Sequence, residues 1–147
     1  MPDFAQKERE EAPLAKRIRE MGLPERLRLA QMGDKEARSL LARDRNKQVL
    51  YCLLQNPRIS DQEIVQFAKE RTLPEEIISL ISKRKEWMKK YPVRLALTLN
   101  PKTPLALSLR MLRSIHDMDL RRIAKSKDVS SQLASGARKI LIARGLL

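Results

Sequence analysis

The 147-residue chain holds one cysteine, one histidine, four glycines and only five aromatic residues: Phe4, Tyr51, Phe67, Trp87 and Tyr91. Each scarcity closes off a class of protein. A lone Cys52 cannot form an intramolecular disulfide. Its place in the apolar run Val49 to Leu54 reads as a buried structural thiol in a reducing compartment. One Cys and one His offer no cluster with the spacing of a zinc site. Four glycines are too few for a loop-rich β fold, and the sequence has no Gly-rich phosphate loop, G-x-S-x-G elbow or H-E-x-x-H motif. No run approaches about 18 apolar residues, and Met1-Pro2-Asp3-Phe4-Ala5-Gln6 lacks the pattern of a secretory signal. The expectation is a soluble cytoplasmic protein with no transmembrane segment and no cofactor.

What is present is aliphatic and helical. Hydrophobic residues make up 42%, so with few aromatics the core must come from Leu, Ile, Ala and Met, which suits close-packed helices. The length is that of one domain. Residues 1–11, ending in Lys7-Glu8-Arg9-Glu10-Glu11, have little to bury and read as a disordered N-terminal tail. Residues 12–147 read as a single helical-repeat domain.

Helix punctuation recurs along this stretch. Pro13 suits a first turn and Gly22 an exit; Gly33-Asp34 and Asp44-Arg45-Asn46 read as turns. Ser60 with Glu63 forms a capping box, and Thr72, Thr103 and Ser130 stand where caps belong. Gly145 is a terminator. On a helical wheel Ile77, Ile78, Leu80, Ile81, Trp87 and Met88 share one half, but so does Arg84. Either the helix breaks near Ser82 or Arg84 snorkels; the break is preferred. Nine or ten helices result, many of only two turns. Such short helices are marginal alone and are held by their neighbours.

Two Asn-Pro pairs organise the chain. Val49 to Pro57 lines up with Val93 to Pro101 at an offset of 44 residues, and each pair precedes a helix start. A second correspondence, at an offset of 56, matches Ala68-Lys69 with Ala124-Lys125, Leu73 with Val129 and Ile77 with Leu133. Imperfect repeats of short helices mark stacked arrays. The phrases Val93-Arg94-Leu95-Ala96 … Asn100-Pro101-Lys102-Thr103-Pro104 and Leu120-Arg121-Arg122-Ile123-Ala124 … Val129-Ser130 … Leu133 resemble the leucine-rich repeat variant and its HEAT-like relatives. Asn56-Pro57-Arg58-Ile59-Ser60-Asp61 resembles the same phrase, with Ser-Asp in place of Thr-Pro. The resemblance spans residues 33–144. It implies an all-α fold, a right-handed superhelical array of short helices. It conveys no activity, and with Cys52 alone the chain lacks the iron–sulfur cysteine cluster of the founding members.

The formal net charge is +13. Residues 101–147 carry 10 basic and 3 acidic side chains, so 7 of the 13 excess charges fall in the last third. Such a field favours an acidic protein or peptide, or a DNA or RNA backbone. Two clusters are the candidate contacts: Lys83, Arg84, Lys85, Lys89 and Lys90; and Arg110, Arg113, Arg121, Arg122, Lys125 and Lys127. Catalysis finds little support. Asp117, Asp119 and Asp128 sit where caps belong, Trp87 has core spacing, and His116 reads as structural or merely exposed. The expected function is a non-catalytic helical-repeat scaffold for protein–protein interaction; the alternative is nucleic-acid backbone binding through a basic face.

Overall fold

In the computed structural model, residues 13–147 are described. The expected tail at 1–11 lies outside them. The described residues are all-helical, with no strand, and form eleven α-helices and one 3₁₀ turn. Within the expected 12–147 domain the chain divides after Ile59 into two compact units.

The first unit holds α1 (Leu14–Glu20), α2 (Leu23–Met32), α3 (Lys35–Leu41) and α4 (Lys47–Leu54). Gly22 follows the Met21 C-cap of α1 and is itself the N-cap of α2. Asp34 caps α3 through the amide of Ala37, and Asn46 caps α4 through those of Gln48 and Val49. Helix α2 packs on α4, and Ala30 of the one and Val49, Leu50 and Leu53 of the other are buried.

The second unit runs α5 (Asp61–Ala68), α6 (Glu75–Lys83), α7 (Lys85–Met88), α8 (Tyr91–Leu99), α9 (Leu105–Met111), a 3₁₀ turn (Leu112–Ser114), α10 (Asp117–Lys125) and α11 (Ser131–Ala143). Both halves of the expected capping box at Ser60 and Glu63 are made. The long helix does break, at Arg84, whose backbone leaves the helical region. Its guanidinium lies 4.5 Å over the Trp87 ring, so the charge stays at the surface while its planar face covers a buried indole. Helix α11 ends in a Schellman turn: the amides of Gly145 and Leu146 reach the carbonyls of Ile142 and Leu141, and Gly145 takes φ 73°.

Three expected caps are not made. Thr72 does not cap α6; Pro74 is its N-cap, and no side chain takes that role. Thr103 is buried and donates to the carbonyl of Leu97 at 2.6 Å, because the Asn100 turn curls it back over the end of α8. Pro104 stands at the N-cap instead, and at the constant offset of 44 it is Pro104, not Thr103, that falls on Ser60. Asp117 and Asp119 lie in the first turn of α10, where their charge suits the helix dipole. Neither caps it.

The two Asn-Pro turns match bond for bond. In the first unit the Asn56 side-chain amide donates to the carbonyls of Ala30 and Gly33, both at 3.1 Å, and its oxygen accepts from the amide of Arg58. In the second, Asn100 donates to Ala68 at 2.7 Å and Glu70 at 2.9 Å, and accepts from Lys102. A helix leaves its last carbonyls unpaired; here the asparagine ending one helix satisfies them at the end of an earlier one. Each pair, α2 with α4 and α5 with α8, packs together with its C-terminal ends side by side. At the offset-56 position, the carbonyl of Ala124 is met by Arg138 at 2.8 Å. There α10 and α11 are consecutive and run antiparallel, with Arg144 of α11 reaching back to Asp117.

Candidate functional site

All eleven candidate basic residues lie in the second unit. Lys83 ends α6, Lys85 begins α7, and Lys89 and Lys90 follow it; all four are exposed. Arg84 is drawn onto Trp87. Lys90 faces Asp61 at 3.6 Å, both more than half exposed, a pair of small energetic weight. Arg110 is exposed on α9. Arg113 is exposed on the 3₁₀ turn, and its carbonyl receives Arg144 at 3.0 Å.

Helix α10 gathers the remainder. Leu120, Ile123 and Ala124 turn inward and pack with Leu133, Ala137 and Leu141 of α11. The opposite face is Met118, Arg121, Arg122 and Lys125, at the i, i+3, i+4, i+7 spacing of one helical stripe. Met118 is 67% exposed, an apolar side chain at the N-terminal end of this stripe, one turn from Arg121 and Arg122 and between Asp117 and Asp119 in sequence. Arg122 has one carboxylate near it, Asp119 at 3.8 Å, across an exposed gap. Lys127 follows in the exposed loop. The sequence reading singled out the three basic residues and passed over Met118. The signal for Met118 was its spacing opposite Leu120 and Ile123.

The aromatic and acidic residues weighed for catalysis are dispersed. Trp87 is buried beneath Arg84. Asp117 pairs with Arg144 at 2.7 Å. Tyr91 and Asp119 do meet: the Tyr91 hydroxyl donates to the Asp119 carboxylate and accepts the backbone N–H of His116. The His116 ring stacks on Tyr91 at 3.6 Å, within 3° of parallel. This latch ties the start of α8 to the start of α10. Burial, and then the bond to Asp119, raise the Tyr91 pKa above the ordinary tyrosine value of 10.

A groove of about 380 Å³ opens where the Asn100-Pro101 turn faces the start of α11. Thr98, Asn100, Thr103 and Ser108 form its polar floor, and Leu99, Leu105, Val129 and Leu133 its apolar walls. Lys102, Glu75 and Asp128 are its charged members; Trp87, Tyr91, Asp117 and Asp119 do not line it. Among the described residues no group of three or more metal-ligating side chains converges. No described helix is long and apolar enough to cross a membrane.

Comparison with family models, with curated proteins and with solved structures finds no match to this chain.

Proposed function

We propose that the protein is a non-catalytic scaffold, a right-handed array of short helical repeats in the cytoplasm, which holds an acidic protein or peptide. The observation that carries this reading is the exposed stripe of α10. Three cations alone would serve a phosphate backbone equally well. A largely exposed methionine at the end of the same stripe favours a partner that brings apolar surface as well as carboxylates. Methionine adapts its shape to such a partner, and arginines pair with carboxylates through two parallel hydrogen bonds. Protein interfaces combine apolar and charged contacts in this way.

Phosphate binding is the second reading. It draws on Lys83, Lys85 and Lys89, exposed and without a carboxylate partner among the described residues. The two readings separate cleanly when a photoreactive side chain replaces Met118 and is activated in cells. Adducts should be protein, and should disappear when Arg121 and Arg122 are both changed to Glu. Adducts to nucleic acid, or protein adducts indifferent to the charge reversal, would overturn the scaffold reading.

A further inference from the structure

We infer that the groove beside the Asn100-Pro101 turn is a second docking site, one for a basic peptide segment in which an arginine stands between aliphatic residues. Its charge preference is opposite to that of the α10 stripe, and it does not depend on that stripe.

The two Asn-Pro units part company at this place. At the offset of 44, Leu54, Ile59 and Ile64 of the first copy give way to Thr98, Thr103 and Ser108 in the second. Leu54 and Ile64 are buried aliphatics and Ile59 is half-buried. The three hydroxyl residues in their places all line the groove. Three exchanges of aliphatic for hydroxyl at one spot make a polar floor where the repeat otherwise places core.

Much of that floor has spent its donors inward. The Thr98 hydroxyl donates to the carbonyl of Arg94, and the Thr103 hydroxyl to that of Leu97. The Asn100 amide gives its hydrogens to Ala68 and Glu70. A hydroxyl that has donated keeps lone pairs, so the two threonines have only acceptors left for a ligand. Glu75 and Asp128 add two exposed carboxylates, neither in an ion pair or side-chain hydrogen bond among the described residues. Asp117 and Asp119 are engaged by Arg144 and Tyr91, whereas Asp128 has no such partner, and Ser130 rather than Asp128 caps α11. Lys102 is the one cation of the lining. In a chain of net charge +13, this lining is acidic.

A ligand that suits this lining brings hydrogen-bond donors, positive charge and apolar surface. Leu99 and Leu105, 43% and 40% exposed, are apolar walls left uncovered. At about 380 Å³ the groove is near the small end of ligand sites, with room for side chains of a short segment rather than a whole helix. An arginine meets both needs: a planar fork of donors that pairs with carboxylates, carried on an aliphatic stem. Aliphatic neighbours in the same peptide would cover Leu99 and Leu105. A bare metal ion would leave those walls in water.

The test is an amide-resolved NMR titration of the full chain with N-acetyl-Leu-Arg-Leu-amide. Peptides with citrulline or Glu in place of the Arg, and with Ala in place of both Leu, are run in parallel. Citrulline keeps the shape of arginine and removes its charge. Saturable shifts are expected at Thr103, Asp128 and Val129. Glu75→Gln and Asp128→Asn should each weaken the arginine peptide about threefold, the scale of one exposed ion pair, and citrulline should weaken it about tenfold, the scale of both. Both carboxylates are exposed, so these variants keep the fold, which the unshifted remainder of the spectrum verifies. The alanine peptide should bind more weakly than the leucine one. Reversing Arg121 and Arg122 to Glu should leave the shifts at the three groove amides in place. Equal binding of the arginine and citrulline peptides, tighter binding of the glutamate peptide, affinity unmoved by both carboxylate variants, or no saturable shift at Thr103 and Val129 at millimolar peptide would each overturn the assignment.

Discussion

The side-chain amide of Asn100 lies 2.7 Å from the carbonyl oxygen of Ala68, 32 residues earlier, and 2.9 Å from that of Glu70. Asparagine suits this position because its amide donates twice while its oxygen accepts the Lys102 amide and fixes the turn. Pro101, with no N–H of its own, needs no partner there.

Replacing Asn100 with Ala should therefore cost about 2–4 kcal/mol, since the carbonyl of Ala68 loses its side-chain donor, that of Glu70 keeps only the Leu73 amide, and the turn loses its brace. Asn56→Ala in the first unit should cost a similar amount. Equilibrium urea unfolding measures both. Asn100→Asp should do no better, because a carboxylate offers no donor and would face the two carbonyl oxygens.

Gly33 predicts a second large effect, with a different origin. Its φ of −70° is open to any residue. Yet a Cβ there would stand 2.5 Å from the carbonyl oxygen of Leu29 and 2.8 Å from the Ala37 side chain. Gly33→Ala should destabilise by about 1–3 kcal/mol or more as the α2–α3 corner is forced apart. Thermal unfolding of the variant checks this.

Much of the fold was readable in the sequence, and the exceptions have two causes. The capping box at Ser60, the stop at Gly145 and the helix ends at both Asn-Pro pairs depend on residues within a few positions of one another, so local rules find them. Asp117 and Asp119 instead satisfy groups brought near by tertiary packing, Arg144 and Tyr91, whereas Thr103 turns back across the Asn100 turn to the carbonyl of Leu97. Local rules assigned them the nearest helix start. The break at Arg84 was legible because a charge fell on an apolar half-wheel, whereas its seat over Trp87 was not. At the candidate site, charge alone led to Arg121, Arg122 and Lys125. Met118 was missed because its only signal is helical spacing opposite Leu120 and Ile123, and charge drew the reading to the cations.

The latch between α8 and α10 gives a pH signature. The folded state holds the Tyr91 hydroxyl protonated as donor to Asp119, so its pKa is raised in the folded chain relative to the unfolded one. The corresponding stability is fully present below the ordinary tyrosine value of 10 and is lost as pH rises through the higher folded value. Ultraviolet titration should find this tyrosine ionising above pH 10 in the wild-type protein and at lower pH in Asp119→Asn. Tyr91→Phe should remove this contribution to the alkaline fall in stability.

The Arg84–Trp87 contact should be modest in energy despite its geometry. Arg84 is only partly buried, so Arg84→Ala should cost about 0.5–1 kcal/mol. Trp87→Ala, which empties a buried indole site, should cost about 3–5 kcal/mol. Urea midpoints of the two variants separate these contributions.

The central claim is that the α10 stripe receives an acidic, partly apolar protein surface. It is tested most directly by fluorescence anisotropy with a labelled amphipathic peptide of Glu, Asp and Leu, alongside a labelled DNA duplex, across a salt series. The peptide should bind more tightly than the duplex at near-physiological salt. Reversing Arg121 and Arg122 to Glu should weaken it by tenfold or more, and Met118→Ser should weaken it at every salt concentration. A duplex that binds more tightly than the peptide, or a peptide affinity unmoved by both changes, would contradict the account.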